Sequence, residues 1–411
     1  MNEIFFRRYK FHLLLICIGV GWLLVFGFVS QMASQGIIYY DSMSYLESAK
    51  NLYVFHRGHQ YRPILMAAIN GIPYIFGFGD SAIYELSFYV NVLCWLASGI
   101  LMFELLREFV RPKTAFWLTL LFFSTLGNIS YIFHLLTENI YLFFILSGFY
   151  CLSKYYKTKA FKWLSIALSI FILAMLIRPG SQLLAIVLCL FFIRELIRNF
   201  KSKFAFFIYG SLMLVAVQCA GLKYQFGNFT VSYIDAITYY GYLSCRAEAL
   251  KNGTEFVQRG NPRGLAMYLL PTPEQKKLAA ADFKYQLTEN TGNLIKAYFI
   301  DLYDNAKSGT TALMNCKKVD DHIFLGAELF SISKWQNRVL TIVGFALAVF
   351  YFFAAYRKEP LYFLMAVYIL YIILLSGVSC AQGDRFHIVT YPFILILLAK
   401  FLQRKKLLDR P

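Results

Sequence analysis

Charge is scarce in this chain, and acidic charge is the scarcest. Of 411 residues only 15% are charged, with 23 Asp and Glu against 40 Lys and Arg, while 59% are hydrophobic and 18% aromatic. Soluble domains carry about 25% charged and about 45–50% apolar residues, so an ordinary soluble globule is excluded. A disordered chain and a coiled coil fail on the same numbers, because so apolar a chain has more surface to bury than one folded core can hide. Also missing are a fixed-period repeat, a low-complexity tract and any C-x-x-C pair, which removes sequence support for a zinc or redox centre. With mean hydropathy +0.54, the bilayer is the main solvent. The net charge of +17 does not point to nucleic acid. Its Lys and Arg residues stand in short clusters between apolar runs, where they anchor the chain beside anionic lipid.

What is present is a series of apolar runs at 11–30, 82–106, 116–133, 135–152, 163–177, 182–197, 204–221, 339–356, 361–378 and 388–402. They imply an all-α polytopic membrane protein of about ten transmembrane helices, the shorter ones completed by flanking turns. The first run, preceded by Arg7, Arg8 and Lys10, exceeds the length of a signal-peptide core and is read as a retained helix. Basic clusters at Arg107/Arg111/Lys113, Lys154/Lys157/Lys159/Lys162, Arg194/Arg198/Lys201/Lys203, Arg357/Lys358 and Arg404/Lys405/Lys406 then fall in every second gap. The positive-inside rule places both termini in the cytoplasm, with the plasma (inner) membrane as the location. Counting the apolar stretch 62–79 as a span would reverse every later helix. It is therefore read as an interfacial helix in the outer leaflet, broken at Pro73 and Gly77.

Three parts follow: a seven-span module 1–221 with its first outer loop at 31–81, an exoplasmic loop domain 222–338, and a three-helix module 339–411. The loop domain shows no strand alternation and is expected to be mostly helical. Thr272, Pro273 and Gln275 read as a helix start with a capping box, and a second helix is expected near Asn293. Cys17, Cys94, Cys151, Cys189 and Cys219 sit in or at apolar spans as inert thiols. Cys245, Cys316 and Cys380 fall on the outer side, where a Cys245–Cys316 disulfide across the loop is one pairing the sequence allows.

Ionisable residues near hydrocarbon are costly, about 2.5–3.5 kcal/mol at a helix centre, so those that persist need a reason. On the outer side they converge: Asp41, Glu47, His56, Arg57, His59 and Arg62, then His134 and Glu138, Arg178, and finally Asp384, Arg385 and His387. Such a set implies a cavity opening outward at the interface. Asp41 begins an amphipathic stretch with Tyr45, Ala49, Leu52 and Tyr53 on one face. It fits a helix N-cap or, beside cations, a general base for an acceptor hydroxyl. Arg62, Arg178 and Arg385 fit headgroup anchors or, on the cation-poor side, the bidentate recognition of a phosphate. Glu138 after Thr137 fits a helix N-terminus, or the binding of acceptor or sugar hydroxyls. With His134 four residues earlier it could hold a divalent ion, although one His and one Glu do not specify a metal.

The order of these features resembles the membrane glycosyltransferases of the GT-C fold, the group that includes protein mannosyltransferases and the aminoarabinose transferases of lipid A. The matching pieces are Asp41 with Tyr45 and Ala49, Arg62-Pro63-Ile64-Leu65, Thr137-Glu138, Arg178-Pro179 and Gly383-Asp384-Arg385-Phe386. The segment 222–338 carries no motif of the group. The resemblance implies a polyprenyl-phosphate-linked sugar donor and a glycan, lipid or protein acceptor, with Asp41 as catalytic base. It makes Arg62 a phosphate contact, Arg385 a second and Arg178 a third. Tyr45, His59, His134, Glu138 and Asp384 are then the candidates for acceptor or sugar binding. The chain departs from the group's pattern where Ile64 replaces a second Pro and where Ser42 follows Asp41 in place of an acidic pair. Gln60 and Tyr61 stand where an acid often precedes the basic residue. No cofactor is specified and a divalent metal stays open. Two other classes compete: a flippase for lipid-linked sugars, which would be expected to carry repeats or mid-bilayer charges, and a polysaccharide polymerase with a diphosphate donor.

Overall fold

The computed structural model describes residues 2–32, 37–258, 260–314, 316–318, 325–380 and 382–408. Apolar runs without helix breakers satisfy their backbone internally, and the chain folds accordingly into helices. In order these are α1 (Asn2–Ser30), α2 (Tyr40–Tyr53), α3 (Ile64–Asn70), α4 (Asp80–Leu106), α5 (Pro112–Phe123), α6 (Leu126–Ser130), α7 (Glu138–Thr158), α8 (Phe161–Ala174), α9 (Gln182–Phe191), α10 (Ile193–Arg198) and α11 (Phe206–Phe226). After them come α12 (Ile234–Thr238), α13 (Cys245–Asn252), α14 (Pro262–Tyr268), α15 (Thr272–Glu289), α16 (Thr291–Lys307), α17 (Thr311–Met314), α18 (Gly326–Ala355), α19 (Pro360–Ser376) and α20 (Tyr391–Arg404). Among the described residues the all-α expectation holds apart from one antiparallel ladder, Ile37–Tyr39 against Cys316–Lys318, with Tyr39 opposite Cys316.

Among the described residues, five helices are long and apolar enough to cross a membrane: Tyr9–Ser30, Asp80–Leu106, Lys203–Phe226, Gly326–Ala355 and Gly383–Arg404. A sixth arises if Pro112–Phe123 and Leu126–Phe133, bent by 57°, form one broken span. Phe161–Ala174, Pro179–Phe191 and Pro360–Ser376 are apolar but shorter. The count of about ten is therefore not established. Ser124 and Thr125 interrupt one run, Phe192 another, and α7 has the length but is rich in tyrosine and lysine toward its end. The stretch 62–79 does not span: α3 is about two turns, followed by a 3-10 turn at Ile72–Phe76 that ends on Gly77 in the left-handed region. Its Ile72, Ile75, Phe76 and Phe78 are exposed.

The bundle core lies where α7 packs on α4 and α8, and where α18 meets α19 and α20. Phe149, Phe393 and Tyr368 form its centre, with Phe149 and Tyr368 each 4.9 Å from the Phe393 ring. By contrast Phe206, Leu212, Met213 and Val217 on α11 point away from the bundle, as a lipid-facing helix requires. Charge gathers at one end, where Glu359 pairs with Lys400 and Arg404, Glu108 with Lys157, and Glu104 with His12 and Arg107. The helices between α11 and α18 are tied by Arg246 to Asp301 and Asp304 and by Arg263 to Asp282.

Two local expectations are corrected. α15 starts at Thr272 as read, but the Thr272 hydroxyl donates to Gln60 Oε1 at 2.9 Å and the Gln275 amide donates to Leu270 O. These side chains tie the segment to the first loop and leave the capping box unmade. The Cys245–Cys316 bridge is not formed: Cys245 is a free thiol whose Sγ lies 3.5 Å from Asn261 Oδ1. The Cys316 side chain lies outside the described residues.

Candidate active site

Asp41 occupies the first turn of α2, and both of its carboxylate oxygens hold an arginine. Oδ1 lies 3.1 Å from Arg62 Nη2, and Oδ2 accepts from Arg385 Nη1. Burial alone would push this carboxyl up, but Arg62 and Arg385 outweigh it and hold Asp41 well below the usual carboxylate range. The side chain is still 35% exposed, because three cavities meet there.

Arg62 stands just outside α3, since Pro63 opens that helix. Its Nε donates to Ser44 Oγ at 2.8 Å, its Nη1 lies 3.3 Å from Tyr45 OH, and its plane covers the Tyr45 ring at 4.3 Å. Tyr45 therefore grips the arginine. His59 shapes the same turn: its Nδ1 accepts the backbone N–H of Tyr61 and Arg62, and its Nε2 lies 3.6 Å from Glu47. Burial holds the imidazole down at about 4 against the pull of Glu47, so it is neutral and occupied with the backbone.

Arg385 lies on the turn Gly383–Arg385 before α20. Gly383 is in the left-handed region at φ 59°, and a Cβ there would meet Gly309 O at 2.4 Å. Glycine is thus required twice over. Two buried amides fix the turn. Asn305 accepts from Gln382 N at 2.9 Å and donates to Ser376 O and Ser379 O. Asn337 donates to Asn305 O and Ser308 O and accepts from Tyr391 OH. Behind the turn, Glu138 at the start of α7 accepts Arg385 Nε at 2.5 Å and lies 4.0 Å from Arg178 Nη1. Arg178 rests against the Phe386 ring at 4.7 Å, and its Nη1 is buried without a hydrogen bond.

The three cavities differ in character. One of about 500 Å³ is lined by all three arginines and runs along Leu183, Tyr371, Leu375 and Val378 between α9 and α19. A second, of about 310 Å³, has Tyr39, Gln258, Asn261, Tyr268 and Gln382 on its walls. The third, of about 690 Å³, is lined by Ser44, Glu47, Asn51, Arg57, His59 and Gln60. Asp41 and Tyr242 line all three.

The structure thus brings together Asp41, Tyr45, Arg62, Arg178 and Arg385 as one cluster, with His59 at its edge. Three other sequence candidates sit elsewhere. Glu138 is 1% exposed and lines none of the three cavities. It faces guanidiniums, and its second oxygen makes no hydrogen bond. Asp384 is buried against Gly127, whose added Cβ would meet Asp384 Oδ2 at 2.4 Å. His134 is buried between Tyr39 and Tyr131 rings at 5.6 and 6.5 Å. Its backbone is extended, so the helical face expected to align it with Glu138 does not exist. Among the described residues no group of three or more His, Cys, Asp or Glu side chains is placed to hold a metal ion. Sequence reading missed Ser44, Tyr39, Tyr242, Tyr268, Gln382, Asn305 and Asn337. Gln382, beside the Gly-Asp-Arg-Phe motif, and Tyr39 and Ser44, beside Asp41, carried a local signal.

A helical membrane protein with an arginine-rich site at the meeting of three cavities is the class that fold and site define. Residues 61–240 match the model of the Alg9-like mannosyltransferase family. The match covers less than half of the chain and agrees with the GT-C resemblance read from the sequence. It contains Arg62, Glu138 and Arg178 but neither Asp41 nor Arg385. No curated protein matches the chain. Two solved structures are similar: archaeal oligosaccharyltransferase AglB from Archaeoglobus fulgidus, in complex with an inhibitory peptide and a dolichol-phosphate, and ArnT from Cupriavidus metallidurans bound to undecaprenyl phosphate. The first has TM-score 0.46 and 11% identity over 98% of this chain and 51% of that one. The second has TM-score 0.42 and 12% identity over 92% and 78%. The chain therefore spans about half the length of the archaeal protein.

Proposed function

We propose that this protein transfers a monosaccharide from a polyprenyl-phosphate carrier to an acceptor hydroxyl on the exoplasmic face, with inversion and with Asp41 as general base. The observation that carries this reading is the meeting of one partly exposed carboxylate with Arg62 and Arg385 at the junction of three cavities. The 500 Å³ cavity suits the donor, since three guanidiniums stand at one end and an apolar wall at Leu183, Leu375 and Val378 can receive the first isoprene units. The two polar cavities leave room for the acceptor from the aqueous side, beneath α12 and α14, and we assign the segment 222–338 that carries these helices as the exoplasmic cover.

The reaction balances in this geometry. An acceptor oxygen attacks the anomeric carbon, the bond from that carbon to the phosphate oxygen breaks, and the electron pair leaves with the phosphate. The hydroxyl proton passes to Asp41. Arg62, Arg178 and Arg385 against Asp41 and Glu138 leave one net positive charge, which a singly charged phosphodiester cancels. As transfer proceeds the phosphate gains a negative charge while Asp41 becomes neutral, so the enclosed site keeps its total charge. Arginines aimed at the developing dianion supply the electrostatic stabilisation.

The test is transfer from a polyprenyl-phosphate carrier bearing radiolabelled sugar, by purified protein in vesicles, with the anomeric configuration of the product assigned by NMR. Inverted product that depends on Asp41 supports the reading. Intact carrier crossing the bilayer without cleavage would make the protein a flippase, and long polymer built from a diphosphate donor would make it a polymerase.

A further inference from the structure

Each of the two guanidiniums on Asp41 has one fixed and one releasable end. Arg62 is anchored through Nε to Ser44 and by its stack on Tyr45, and Arg385 is anchored through Nε to buried Glu138. What they offer to Asp41 are the outer atoms, Arg62 Nη2 and Arg385 Nη1. If the carboxylate swings away, both arginines keep their places, and two N–H-bearing nitrogens face the donor cavity. Asp41 in turn has open volume on three sides to rotate into. Glu138 has no such freedom, being enclosed behind Arg385.

Resting on the reading of this cavity as the donor site, we propose that the Asp41 carboxylate is an internal stand-in for the donor phosphate. Carrier binding and base activation are then one exchange, in which the phosphate takes Arg62 Nη2 and Arg385 Nη1 and expels the carboxylate toward the acceptor. The same two contacts cannot serve both anions, and Arg–phosphate pairing is bidentate and charge-assisted. A base released only when phosphate arrives is unavailable for proton abstraction before the donor is seated. The arrangement also makes a counterintuitive statement about binding: the proposed catalytic acid opposes donor binding.

Farnesyl phosphate, a short and sugar-free carrier analogue, is the probe, its affinity for the full chain in detergent read by calorimetry. Asp41→Asn should tighten its binding about tenfold or more, because a hydrogen bond to a charged group is worth about that factor. Glu289→Gln, exposed on α15 and lining none of the three cavities, should change it less than about twofold. Asp41→Ala replaces Asp41→Asn if thermal unfolding shows that the latter does not fold. Unchanged or weaker binding in a folded Asp41 variant, or equal tightening in Glu289→Gln, overturns the exchange. Arg62→Ala and Arg385→Ala should both weaken binding. If neither does, the donor-site reading itself fails, a result distinguishable from failure of the exchange alone.

Discussion

Removing Arg385 separates its structural from its chemical role. Its Nε is held at 2.5 Å by Glu138, a carboxylate only 1% exposed whose second oxygen makes no hydrogen bond. In Arg385→Ala the nearest remaining cation of this network is Arg178, 4.0 Å away. Breaking a buried pair by deleting one partner costs about 3–5 kcal/mol, because the other charge stays enclosed without compensation. Arg385→Ala should therefore unfold at a markedly lower temperature in detergent, followed by tryptophan fluorescence. Adding Glu138→Gln removes the stranded charge and should restore most of that stability. It should not restore sugar transfer, because the phosphate contact at Nη1 stays lost. Arg385→Lys, which keeps a charge but cannot reach Asp41 and Glu138 as a planar fork, should fall between the two. If the double variant is as unstable as Arg385→Ala, Glu138 is not the charge that Arg385 compensates, and the reasoning about this pair is wrong.

Other expectations follow from single contacts. Asp41→Asn should slow transfer by about 10²–10⁴, the usual scale of a lost general base, and near-wild-type turnover would take Asp41 out of the chemistry. Asn337→Ala leaves the carbonyls of Asn305 and Ser308 without their amide donor, at about 1–3 kcal/mol for each buried group left unpaired. Its unfolding midpoint should fall accordingly, and Asn337→Asp should not rescue it, since a carboxylate has no N–H to donate. Burial depresses His59 from 6.5 to about 4, so its neutral form favours the fold. The stability tied to it is complete above about pH 6.5 and is lost as pH falls toward 4. His59→Gln should flatten the dependence of the unfolding midpoint on pH across that window, and an unaltered slope would assign the window to other groups.

The helical class and the central triad were legible because charge in so apolar a chain stands out. Asp41, Arg62 and Arg385 come from distant parts of the sequence, yet each had to have a reason to be near hydrocarbon; that requirement put them among a dozen candidates, which the GT-C resemblance then narrowed. The same criterion could not separate a residue that lines a cavity from one buried behind it. Glu138, His134 and Asp384 passed the test equally and prove to be enclosed, the first by guanidiniums, the second by tyrosine rings and the third by the Gly127 backbone. The span count stays open where it depended on continuity. Hydropathy does not register the turn at Ser124 and Thr125, which bends one run by 57°.

The residues missed share a physical character. Asn305 and Asn337 are ordinary amides on helices, and their significance exists only after α16 and α18 bring the turn Gly383–Arg385 between them. Tyr242 and Tyr268 come from the segment without a motif, and they matter because that segment lies over the cavities. Local sequence therefore specified the charges, while long-range packing decided which atoms of those charges are free. For Arg62 and Arg385 this is the difference between an inner nitrogen locked on Ser44 or Glu138 and an outer one held by a carboxylate that can leave. A site built this way can keep two cations in register without a ligand. Two guanidiniums side by side repel, and in the proposed exchange the Asp41 carboxylate offsets that repulsion at the outer nitrogens until a phosphate takes its place, while Ser44, Tyr45 and Glu138 hold the inner ends throughout.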